Sequence, residues 1–292
     1  GGLVRFNRKT GERVDIKPQP EIETPPLRWN WDSALLISPH NHERIYYGSQ
    51  ILFASNNRGD SWEAISPDLS RNLDRNQLKV MGRVWGPDAV AKNASTSQYG
   101  TIVSVSESPL AEGLIYVGTD DGMVQITEDG GKNWRGVSTF GSLAIPEFGY
   151  INDIEADLHD ADTVYVAINN HKRGDFQPYV VKSTDRGNTW ENITSNLPER
   201  GSVYTLKQDH EKAELLFCGT EFGCFTTIDG GKKWLKLGSG LPTVAIRDIE
   251  IQRDENDLVL ASFGRGFYVL DDYSLMRHID AELAKKNAVM PI

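Results

Sequence analysis

Four times along this chain, Ser or Thr is followed two residues later by Asp or Asn. Gly comes two residues after that, and Trp three after the Gly. The copies are Ser55, Asn57, Gly59 and Trp62; Thr127, Asp129, Gly131 and Trp134; Ser183, Asp185, Gly187 and Trp190; and Thr227, Asp229, Gly231 and Trp234. Four of the chain's seven tryptophans lie in this pattern, so it reads as a structural repeat rather than coincidence.

The residue types define a turn. A side-chain oxygen of Asp or Asn accepts backbone N–H groups a few residues on, which closes an Asx-type turn. Gly supplies the positive φ of a tight hairpin. The hydroxyl bonds the loop from the other side, and Trp opens the next strand with a large apolar body. A turn Asp bonded in this way has no lone pair left for a substrate. These sixteen residues are therefore expected to be structural.

Each turn is preceded by short runs of β-branched and aromatic residues. The first copy reads "ALLISP", "RIYYGS", "ILFASN", turn, "WEAIS"; the third reads "INDIEAD", "TVYVAIN", "YVVKST", turn, "WENIT". A fifth set, "IRDIEIQ", "LVLASF", "FYVLDD", lacks the turn. Polar turns such as "PHNHER" and "LHDAD" separate the first two runs. Four antiparallel strands per unit, repeated along the chain, predict an all-β fold of propeller blades. The expected division is an outer hairpin over 1–16, blades over 27–66, 100–139, 150–195, 202–238 and 244–273, and an insertion loop over 67–99. A propeller over 1–278 is then followed by a helix and strand over 279–292. Because the chain opens on a hairpin with no inner strands before it, it reads as an excerpt of a longer protein, whose remaining part would be a partner.

Net charge is -10, which argues against a nucleic-acid partner, since phosphate binding needs a basic face. No apolar run has the length of a membrane span. Cys218 and Cys224 flank the turn "GTEFG" one pair out of register, so two buried thiols are favoured over a disulfide. The sequons at Asn93 and Asn192 carry little weight, the second lying inside a strand.

The turn pattern resembles the Asp-box, or bacterial neuraminidase repeat (BNR). The wider chain is similar to a family of large bacterial proteins with sortilin-like propellers, often labelled glycosyl hydrolases. The similarity rests on segments such as "ESPLAEGLIYVGTDDGMVQITEDGGKNW" and "FGRGFYVLDDYSLMR". It implies export beyond the cytoplasmic membrane, to the periplasm or outside the cell, and it implies no proven reaction.

Two functions compete, and whether the chain is an enzyme stays open. Sialidases of this fold clamp a sugar carboxylate with three Arg residues. Here the inner-strand starts offer Arg247, with Arg83 in a loop, so a sialidase is disfavoured. A two-carboxylate glycoside hydrolase would draw on Asp32, Asp153 and Asp248, each expected near the start of an inner strand. The favoured reading is a module that binds or scaffolds a peptide, protein or glycan. Its candidate ligand residues are Arg83 and Trp85 in the Ser66–Tyr99 insertion, Asp120 and Asp121 in a blade loop, and His171, Arg173 and Asp175 in "NNHKRGDFQPY". A loop this long is usually functional or disordered. No second His or Cys follows His171 at ligand spacing, so neither metal nor cofactor is expected.

Overall fold

The computed structural model describes residues 2–20, 24–79, 81–86, 88–90, 98–238 and 240–279. It is all-β. A hairpin of β1 (Val4–Phe6) and β2 (Arg13–Asp15) is followed by five antiparallel meanders. Four have four strands. These are β3–β6 (Leu35–Ile37, Ile45–Gly48, Leu52–Ser55, Glu63–Ala64), β7–β10 (Ile102–Glu107, Ile115–Thr119, Val124–Thr127, Arg135–Val137), β11–β14 (Tyr150–Ala156, Val164–Asn170, Asp175–Ser183, Glu191–Asn192) and β15–β18 (Val203–Gln208, Leu216–Thr220, Gly223–Thr227, Leu235–Lys236). The fifth, β19–β21 (Ile246–Gln252, Asp257–Ser262, Phe267–Leu270), has three strands among the described residues. Sheets of this topology, strand order following chain order, are propeller blades. By contact density the chain forms two compact units, one ending at Ser138 and the other beginning at Thr139, apart from residues 108–111, which group with the second. No helix among the described residues is long and apolar enough to cross a membrane. A 3-10 turn over Tyr273–His278 follows β21, and the helix and strand expected over 279–292 lie outside the described residues but for Ile279.

Each repeated turn closes in the same way. Ser55 donates to Asn57 Oδ1 (2.8 Å), Gly59 N–H donates to Ser55 Oγ (2.8 Å), and Ser61 N–H donates to Asn57 Oδ1 (2.9 Å). The bonds recur at Thr127 and Asp129, at Ser183 and Asp185, and at Thr227 and Asp229, with 2.7–3.0 Å separations. Hydrogen bonds from Asn133 and Thr189 respectively hold the Asp129 and Asp185 carboxyls down at about 2.

The turn does more than close a hairpin. Trp62 Nε1–H donates to the Ile16 carbonyl (2.6 Å), Trp134 to Ile65 (3.0 Å) and Trp234 to Ile193 (2.9 Å). Each acceptor ends the outer strand of the preceding sheet. The same Ile packs where a side chain on the turn glycine would stand. A Cβ on Gly59 would meet Ile16 at 2.6 Å, one on Gly231 would meet Ile193 at 2.9 Å, and one on Gly131 would strike the Ile65 carbonyl. Glycine is thus required twice, for its positive φ (90° at Gly59, 98° at Gly131 and 94° at Gly231) and for this close approach. The turn joins neighbouring sheets.

The four copies are not equal. Trp234 is 2% exposed, while Trp62, Trp134 and Trp190 are half-buried. The Trp190 indole nitrogen is buried without a partner, and its ring meets Phe140 edge-on at 5.2 Å. Cys218 and Cys224 are buried free thiols, with Cys218 paired to Phe225 and Gly219 to Cys224. Asn192 Oδ1 accepts the Thr194 N–H (2.8 Å), and Asn93 lies outside the described residues.

Trp234→Ala should cost about 3–5 kcal/mol, as core aromatic deletions do, and Trp190→Ala less, because its ring is partly solvated. Urea unfolding compares them; an equal or larger loss for Trp190 would contradict the packing described. Because Asp129 and Asp185 titrate below the usual carboxylate value in the fold, they add stability above pH 4 that is lost as pH falls towards 2. Asp185→Asn should flatten that acid limb in a pH series of melting temperatures.

Candidate functional site

In the second unit the inner strands β11, β15 and β19 belong to three sheets, and β15 packs between the other two. A β-bulge interrupts the pairing of β11 at Ile151/Asp153, of β15 at Val203/Thr205 and of β19 at Ile246/Asp248. β7 carries the same bulge at Ile102/Ser104. One extra residue there re-aims the side chain that follows. On β11 it turns Asp153 towards β15. Its Oδ2 accepts Thr205 Oγ1–H (2.9 Å) and Leu206 N–H (2.8 Å).

Two residues further on, Lys207 Nζ stands between Glu155 (3.4 Å) and Glu250 (3.5 Å). Burial pushes the Glu155 carboxyl up to about 7, against the pull of Lys207. Burial lowers and the surrounding carboxylates raise the Lys207 ammonium, which ends above its ordinary value and stays charged. Further down, Gln208 Nε2–H bonds Asp157 (2.8 Å), and buried Asp209 accepts Tyr273 Oη–H (2.6 Å) and a fork from Arg277 (2.9–3.1 Å). These lower layers tie strand to strand.

The end at which the strands start is built differently. Asn152 Nδ2–H donates to the Tyr204 carbonyl (2.8 Å), Asn169 donates to Asn152, and His171 Nδ1 lies 2.6 Å from Asn169 Oδ1. The acceptors fix the direction of this chain, so His171 carries its proton on Nδ1. Burial, helped by Lys172 and Arg247, lowers its pKa and favours the neutral ring. The Arg247 guanidinium lies 4.1 Å over the Tyr204 ring, and Lys172 Nζ lies 4.6 Å over Tyr150. Glu221 Oε2 is buried without a hydrogen-bond partner. This rim combines aromatic faces, cations, amides and an unsatisfied carboxylate, the mixture that orients a polar ligand.

Asp153 and Asp248 do lie near the starts of inner strands, at the fourth position of β11 and the third of β19, with β15 between the two strands. Both are engaged: Asp153 as above, and Asp248 Oδ1 by Ile249 N–H (2.9 Å). Asp32 begins no strand. It lies exposed in the turn before β3, its N–H donated to Asn30 Oδ1 (3.1 Å). Asp120 is buried and accepts Gly100 N–H, Thr101 N–H and Thr101 Oγ1–H (2.8–2.9 Å); burial raises it to about 6. Asp121 accepts Thr119 Oγ1–H (2.6 Å) and Arg71 N–H (2.8 Å). Asp175 accepts Tyr179 Oη–H (2.7 Å), Asn170 Nδ2–H and Gln177 N–H, which outweigh burial and hold it low. Arg83 stacks 3.5 Å over Trp85 in the insertion, parts of which (80, 87 and 91–97) lie outside the described residues. Arg173 lies over Phe148 (5.0 Å). His171 and Arg173 thus belong to the rim, whereas Asp120, Asp121 and Asp175 hold loops together.

Sequence reasoning missed Tyr204, Glu221 and Asn152. Glu221 was findable. It follows the second strand of its sheet, as Asp120 and Phe263 do, and all three donate their N–H to the residue preceding an inner strand or opening it (Ser202, Thr101, Ala245; 2.8–3.0 Å). Asp120 is consumed internally; Glu221 is not.

No family model matches the chain. Among curated proteins it is similar to xyloglucanase Xgh74A of Acetivibrio thermocellus, 25% identical over 179 residues, which is 53% of this chain and 21% of the relative. The chain thus spans about a fifth of that protein's length. Among solved structures it resembles the GH74 xyloglucanase of Xanthomonas campestris, with TM-score 0.62 and 19% identity over 92% of this chain and 40% of the other. It also resembles the Cps50 (Swd1) β-propeller domain of Myceliophteria thermophila, with TM-score 0.53 and 13% identity over 84% and 67%. Identities this low establish the β-propeller fold and leave the chemistry to the site.

Glu155 titrates higher in the fold than in the unfolded chain, so its contribution falls as pH rises through 7. Glu155→Gln should therefore gain on the order of 1–3 kcal/mol over the parent at pH 8, and little at pH 4. Denaturant unfolding at both values checks this; a loss at pH 8 would show that the pair with Lys207 dominates.

Proposed function

We propose that this chain is the ligand-binding section of an exported Asp-box (BNR), sortilin-like propeller, related to glycoside hydrolases, and that its ligand is a glycan held at the rim around Tyr204. The blade limits are those expected from sequence, with the propeller over 1–278. One contrast carries the reading. Asp153 and Asp248, the carboxylates best placed for hydrolysis, each have one oxygen tied to a backbone N–H, from Leu206 and Ile249, whereas no hydrogen bond reaches Glu221 Oε2 beside the aromatic and amide groups of the rim. A buried polar atom without a partner costs free energy that a ligand hydroxyl would recover. The similarity to a xyloglucanase supports a glycan over a peptide or protein.

A second reading, glycoside hydrolysis by a larger protein containing this section, is favoured by the same similarity. It needs two carboxylates about 5–9.5 Å apart with free oxygens. Incubation with polysaccharide, read as new reducing ends, separates the two: binding without release is expected, and release abolished by Asp248→Asn would favour hydrolysis. Phe222→Ala should weaken glycan binding at least about tenfold with the melting temperature little changed, because its ring is 40% exposed beside the rim, whereas Tyr204 is buried beneath Arg247. Calorimetry measures this, and unchanged affinity would place the ligand elsewhere.

A further inference from the structure

Four cations in the second unit lie on aromatic rings at one end of its sheets. Beyond Arg247 on Tyr204, Lys172 on Tyr150 and Arg173 on Phe148, the Arg200 guanidinium lies 4.9 Å over Phe176. The loops that carry them touch: Gly201 N–H donates to the Phe176 carbonyl (2.8 Å), and Gly201 packs on Phe222. The chain as a whole is acidic at -10. The carboxylates of these loops are Glu147, Glu199 and Glu221, with Asp175 held internally. Among the described residues neither Arg200 nor Arg247 has a carboxylate within ion-pair distance.

A guanidinium held over a ring is restrained in position, and its N–H groups match the two oxygens of a carboxylate. Two such forks on an otherwise acidic surface are a recognition device for anions rather than a solubility feature. Phe222 and Phe263, 40% and 75% exposed beside them, present uncovered apolar faces. Glu221, amid these cations, still needs a donor.

Resting on the glycan reading above, we infer that the rim selects an acidic glycan, one whose pyranose rings carry carboxylates, such as a uronate oligomer. The carboxylates seat on Arg200 and Arg247. The hydroxyls donate to Glu221 once its carboxylate, whose Oε2 is closed off from solvent, turns outward, and the C–H faces lie on Phe222 and Phe263. A neutral oligosaccharide leaves both forks unpaired, and an acidic peptide lacks the hydroxyl donors and flat apolar faces.

Titration calorimetry of the chain with a hexagalacturonide, a neutral xyloglucan oligosaccharide and a glutamate hexapeptide tests this. The hexagalacturonide should bind at least tenfold tighter than either competitor, and its affinity should fall between 50 and 300 mM salt. Arg247→Gln and Arg200→Gln should each weaken it about tenfold with unchanged melting temperature, and Arg253→Gln, outside the rim, should not. Tighter binding of the neutral sugar, or salt-independent binding, would overturn the acidic class and leave the glycan reading standing. Tighter binding of the peptide, or no binding of either sugar, would overturn both.

Discussion

The hydrogen bond from a tryptophan indole to the last outer-strand carbonyl of the sheet before it is the constraint on which the rest depends. A meander of four short strands is marginal alone, since it has two faces to cover and little interior. The indole bond and the Gly–Ile contact fix how one sheet meets the next at its outer edge, while the large body of Trp234 fills the space between them. The Asp and hydroxyl of the turn act one step back, by holding the glycine and tryptophan where this contact needs them.

At the inner edge a different device sets the same relation. The same bulge recurs in β7, β11, β15 and β19, and on β11 it aims Asp153 at the neighbouring strand, where Thr205 and Leu206 clasp it. Polar groups in the middle and lower layers are thereby used for holding sheets together. At the strand starts Asn152 still ties β11 to β15, but there the chain leaves the sheet and loops add Lys172, Arg200 and Glu221. Rigid strands and adaptable loops divide the work, as they do in scaffolds that carry binding sites on loops.

Much of the fold was legible because its signals are local. The hydroxyl, Asp, Gly and Trp of each turn lie within eight residues, and their bonds are made within that span. What the turn does to its neighbour was not legible: Ile65 and Trp134, or Ile193 and Trp234, are far apart in sequence, and nothing in either segment announces the other. Asp153 and Asp248 were found as an equivalent pair, but their engagement depends on a bulge that strand periodicity does not reveal. Asp120 and Asp175 look like free loop acids in sequence and are bonded inside the chain. The rim residue Glu221 could have been found from its place after the second strand of its sheet, which it shares with Asp120, and the order of Tyr204 and Arg247 on successive strands becomes meaningful only once β15 and β19 are side by side.

Native-state hydrogen exchange on Trp234→Phe is the most direct measurement of whether the turn couples sheets. Phe keeps most of the ring and removes the indole donor. If the coupling holds, amides of β11–β14 and of β15–β18 lose protection together, because the Ile193 carbonyl and the β17–β18 turn share one contact. Loss confined to β17 and β18, with β13 and β14 unchanged, would mean that the turn stabilises its own hairpin alone and would contradict the account.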